Sequence, residues 1–225
     1  AETGDVRWSQ VLSLTELRID SDLFRRSQAC SIAYRDGILV CPTNVHEVVG
    51  VDPLTHSVLW VFSYGKDVPT RRNFMQAAQT LAPPTTSFAT DPPMIANDRV
   101  IVTSAVSRRL YCIDLHTGAL QWWSQRRSSH FAAGIFEDTV VLVGKDDVRA
   151  LRLQDGDVKW EQQTPEPSGR GVRVGDAYLL PLANGGINVL DLQSGVSRRV
   201  LQGRRQEPIG NLMAHANHVL ASGPN

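Results

Sequence analysis

The sequence predicts an all-β chain, a β-propeller of four-stranded antiparallel blades, and three observations predict it. A nine-residue phrase recurs four times, a polar turn with a β-branched run precedes each copy, and a short apolar run lies between the two. Self-similarity of this kind marks repeat architectures in which each unit is one supersecondary element. The phrase is an aspartate, a turn ending near glycine, and a tryptophan eight residues after the aspartate. It reads Asp52-Pro53-Leu54-Thr55-His56-Ser57-Val58-Leu59-Trp60, then Asp114-Leu115-His116-Thr117-Gly118-Ala119-Leu120-Gln121-Trp122. The third copy, Arg152 to Trp160, has arginine in the aspartate's place, and the fourth, Asp191 to Arg199, has lost the tryptophan.

Upstream stand Asp36-Gly37-Ile38-Leu39-Val40, Asn97-Asp98-Arg99-Val100-Ile101-Val102, Glu137 to Val143, and Gly175 to Leu180. Polar and glycine pairs suit tight hairpin turns, and the apolar runs suit strands. Between the phrases sit Val48–Val51, Leu110–Ile113, Val148–Leu151 and Ile187–Leu190. Each unit therefore reads as strands A to D of one blade.

Both ends carry pieces of the unit. Thr3 to Trp8 matches the end of the third copy and predicts the last strand of a preceding blade; Gly210 to Ala221 matches strands A and B. The expected organisation is one truncated propeller domain: 1–9 a final strand, 10–28 a connection, 29–62 a blade and 63–91 a long insertion. Blades follow at 92–125, 130–162 and 170–201, with the first strands of another at 209–225. A half-blade exposes its edges, so the chain reads as a window from a longer protein. The competing arrangement, in which the terminal pieces share one blade of a small ring, lacks a C strand.

The D-x-x-T-G-x-x-x-W phrase after a D-G-x-V strand, best seen in Asp114, Thr117, Gly118 and Trp122, resembles the pyrroloquinoline-quinone-type propeller repeat. That family holds quinoprotein dehydrogenases and a propeller lipoprotein of outer-membrane assembly. The resemblance implies that Trp8, Trp60, Trp122 and Trp160 dock blades and that Thr117 and Gly118 shape the last hairpin. It also implies a bacterial, periplasmic, envelope-associated or secreted setting. The dehydrogenases would bring a quinone (PQQ) over calcium, covered by a disulfide between consecutive cysteines.

No consecutive cysteines occur here, and no stretch alternates oxygen ligands as a calcium loop does. Asp146-Asp147 beside Lys145 reads as a hairpin loop. Cys30, Cys41 and Cys112 fit no zinc spacing; Cys30 and Cys41 suit either a bridge between neighbouring strands or two buried thiols. The six histidines are scattered, and phosphate-loop and nucleophile-elbow motifs are absent. Net charge is zero, 23 basic against 23 acidic residues, which gives no global pull toward nucleic acid. No apolar run reaches the roughly 20 residues of a membrane helix. The sequence thus predicts no catalytic, cofactor-binding or metal residue.

Function is expected in the loops. The D-to-A and B-to-C connections share one blade end and hold Arg71, Arg72, Arg108, Arg109, Arg126, Arg127, Arg204 and Arg205. The opposite turns hold aspartates, which also serve turn geometry through side-chain-to-backbone bonds. In the 63–91 connection, Phe74, Ala77, Ala78 and Leu81 fit one stripe of a short helix; the 10–28 connection holds Leu14, Leu17, Leu23 and Phe24. Long loops on a rigid scaffold carry binding. The expected function is a non-catalytic scaffold whose arginine face meets a protein or an anionic ligand. The alternative is part of a PQQ-dependent oxidoreductase whose cofactor site lies elsewhere.

Overall fold

In the computed structural model the described residues are 4–14, 31–43, 46–64, 91–103, 107, 109–203, 207–216 and 218–223. The predicted helix at 74–81, Leu17, Leu23, Phe24 and Cys30 lie outside them. The secondary structure of the described residues is β throughout, in antiparallel sheets whose strand order follows the chain. The first blade is β1 (Ala33–Arg35), β2 (Ile38–Pro42), β3 (Glu47–Asp52) and β4 (Ser57–Ser63). The second is β5 (Met94–Ala96), β6 (Arg99–Thr103), β7 (Arg109–Asp114) and β8 (Leu120–Gln125). The third runs from β9 (Ser129–Phe136) through β10 (Thr139–Gly144) and β11 (Asp147–Arg152) to β12 (Val158–Gln163). The fourth is β13 (Val172–Val174), β14 (Ala177–Pro181), β15 (Gly186–Asp191) and β16 (Ser197–Gln202); a hairpin, β17 (Leu212–His215) and β18 (His218–Ala221), follows. These are propeller blades, and the chain divides into two compact units, Ala1–Gln121 and Trp122–Asn225.

Within each blade the apolar runs sit in the middle. Every residue of β10 and β14 is buried, because a B strand is flanked by partners in its sheet and covered on its faces. The outermost strand is wet; all of β16 is exposed. In the first unit, Ile38, Val40, Val48 and Trp60 of one blade pack with Val100, Val102, Tyr111, Ile113 and Leu115 of the next. In the second unit, Ala177, Leu179 and Val189 pack with Leu212 of the hairpin.

The pairing of strands C and D breaks register at one recurring place. Gly50 faces Trp60 and Val51 faces Val58; Ala150 faces Trp160 and Leu151 faces Val158; Val189 faces Arg199 and Leu190 faces Ser197. Leu59, Lys159 and Arg198 are thus left over as bulge residues, and a bulge re-aims its side chain. Lys159 turns back to Asp138 at 3.0 Å. Arg198 bonds Asp176 at the same A-to-B turn position, and also Asp191.

Residues 4–14 carry no strand, although Gly4 to Trp8 matches the start of β12 almost letter for letter. A strand is defined by its ladder, and no described strand runs beside this segment to supply one.

Glycine at the fifth position of the phrase is required twice over. Gly118, Gly156 and Gly195 have φ of +67°, +78° and +75°. A Cβ would stand 2.7 Å from the Trp60 ring at Gly118 and 2.5 Å from Trp122 at Gly156, and closer still to Trp160 at Gly195. Gly37 shares the positive φ, +81°, but nothing lies within 4 Å of a Cβ there. Gly37→Ala should therefore cost about 1 kcal/mol, the left-handed strain alone. Gly118→Ala should cost a further 1–3 kcal/mol or so from overpacking against Trp60. Urea unfolding of both variants checks this; equal losses would show that the close approach carries no weight.

Candidate functional site

The recurring site is the seam at the turn end of the blades. The indole N–H of Trp60 donates to the Leu115 carbonyl at 2.8 Å, Trp122 to Leu153 at 2.8 Å, and Trp160 to Leu192 at 3.1 Å. Each acceptor is the second residue of a phrase. Its own N–H donates to the A-to-B turn: Leu115 to Asp98, Leu153 to Asp138, Leu192 to Asp176. The leucine peptide is held from one side and receives the indole from the other. Trp60 and Trp122 are buried, so the single polar atom of each ring is satisfied where the ring is dry.

The phrase's first and fourth residues fold the turn that presents this carbonyl. Asp114 accepts from the backbone N–H groups of His116 and Thr117 and from the Thr117 hydroxyl at 2.8 Å. Asp52 does the same with Leu54 and Thr55, and Asp191 with Gln193 and Ser194. The Ser194 hydroxyl and then Arg198 hold the Asp191 carboxyl down from 3.8 to about 2. The third copy closes the turn with an ion pair. Arg152 occupies the aspartate's place and donates to Asp155 at 3.1 Å and Asp157 at 2.6 Å, with Asp155 in the threonine's place. Two different chemistries close the same turn.

Trp8 departs from the other three. It is 39% exposed and stacks on His56 with ring centroids 4.5 Å apart, tilted by 30°. His56 is the fifth residue of its phrase, in the glycine's place, with φ +60°. The seam position is the same, with an imidazole where the other three seams have glycine.

A second node at the opposite blade end was not legible in the sequence. In the second, third and fourth blades the third residue of the C strand reaches the connection arriving from the previous blade. Tyr111 stacks on Tyr64 at 5.6 Å, and the Asn188 amide donates to the Thr164 hydroxyl at 3.3 Å. Arg149, fully buried, donates to the carbonyls of Gln125 and Arg126, each at 3.0 Å, and to the Ser129 hydroxyl. Its Nε faces Asp147 at 3.6 Å, and Asp147, also buried, accepts from Ser128 at 2.7 Å. Burial, and then neighbouring Arg127, lowers the proton affinity of this guanidinium.

Of the eight arginines expected to form a ligand face, Arg71, Arg72, Arg108, Arg204 and Arg205 lie outside the described residues. Arg109 begins β7 and is half-buried. Arg126 is buried and donates to the His130 carbonyl at 3.4 Å. Arg127 is exposed but paired with Glu161 at 2.9 Å. The 126–127 pair thus holds the connection to its own blade. Cys112 is buried, which pushes its thiol up to about 12.

A quinone over calcium needs an open indole face and a convergent set of oxygen ligands. Here the Trp60, Trp122 and Trp160 rings are covered by the next turn, and among the described residues no three His, Cys, Asp or Glu side chains converge. The Trp60, Trp122 and Trp160 seams therefore offer that group no floor. No helix among the described residues is long and apolar enough to cross a membrane.

Removing one partner of a buried ion pair strands the other. Arg149→Met should therefore cost about 3–5 kcal/mol in urea unfolding. Adding Asp147→Asn should recover part of that loss, giving clear coupling in the double-mutant cycle. Additive losses would show that Asp147 and Arg149 do not act as a unit.

A family model described as outer membrane protein assembly factor BamB matches residues 1–219. The chain is similar to the crystal structure of BamB from Moraxella catarrhalis, with a TM-score of 0.63 and 19% identity. That likeness covers 85% of this chain and 54% of the other. It is also similar to quinohemoprotein alcohol dehydrogenase from Comamonas testosteroni, with a TM-score of 0.56 and 12% identity, over 85% of this chain and 38% of that one. The chain thus spans about half the length of the first and less than that of the second, and at these identities the likeness is one of fold. No curated protein matches the chain in sequence.

Proposed function

We propose that this chain, which belongs to the outer membrane protein assembly factor BamB family, is a non-catalytic propeller scaffold that binds protein segments on the periplasmic side of a bacterial envelope. The observation that carries this reading is the use made of the repeat's distinctive residues. The tryptophans Trp60, Trp122 and Trp160, the turn carboxylates and Arg149 are all spent on joining and closing blades, and among the described residues no three His, Cys, Asp or Glu side chains gather as a metal site would need. A rigid core with variable connections presents surface for recognition.

Arg126 and Arg127 are engaged within the fold, which favours a protein partner over an anionic ligand. Similarity to a quinohemoprotein alcohol dehydrogenase favours a second reading, an oxidoreductase portion.

The two readings separate in one pair of assays. A scaffold should bind an unfolded outer-membrane β-barrel protein saturably, with an affinity on the order of micromolar, and should reduce no dye from an alcohol after incubation with the quinone and calcium. Quinone-dependent dye reduction without precursor binding would replace the scaffold with the enzyme.

A further inference from the structure

We draw no further inference here: the strongest candidate, the uncharged outer edge of the first blade along β4 with Val58, Leu59 and Val61 exposed, pairs with no described strand besides β3, and nothing in the structure shows what covers it.

Discussion

The structure depends on one repeated contact: an indole N–H bonded to a leucine carbonyl while its ring lies flat over a glycine of the same turn. The contact joins a blade to the next using groups that are otherwise hard to place in a dry seam. The indole nitrogen needs an acceptor, the leucine carbonyl has no ladder partner, and the glycine has no side chain to obstruct the ring. Each removes a difficulty that the others create. An unsatisfied buried group would cost on the order of 1–3 kcal/mol, and the seam leaves neither of these two groups in that state.

Around this contact the chemistry varies while the geometry stays. Asp114 with Thr117 and Arg152 with Asp155 close the same turn, one with a carboxylate accepting from a hydroxyl and the other with an ion pair. Lys159 and Arg198 stand on the same bulge and reach the same turn. At the far end, Tyr111, Arg149 and Asn188 occupy one register position and hold the arriving connection by stacking, by carbonyl capture and by an amide bond. Loops carried between these two ends sit on anchored supports, which is what a recognition surface requires.

The blades were legible in the sequence because strands, turns and seam tryptophans recur with the same letters at the same offsets. The C-strand clamp was not, because Val49, Tyr111, Arg149 and Asn188 share a place but no chemistry. Their equivalence lies in strand register alone. At residues 4–8 the letters of β12 recur, and no described strand lies beside them to form a ladder. The doublet Arg126-Arg127 reads as surface charge, since nothing in a sequence tells that one guanidinium turns inward and the other finds Glu161 on its own blade.

The seams differ at the fifth position of the phrase, glycine in three copies and histidine in the first. With glycine the indole is buried and bonded; with His56 it is half-exposed and merely stacked. Hydrogen exchange at the indole N–H groups, read residue by residue by NMR in the native protein, measures that difference directly. The Trp60 and Trp122 indoles should exchange only through large-scale opening, with Trp160 close behind, while Trp8 exchanges at nearly the rate of a free indole. Fast exchange at Trp60 and Trp122, at the rate of Trp8, would contradict the docked seam on which the fold is built.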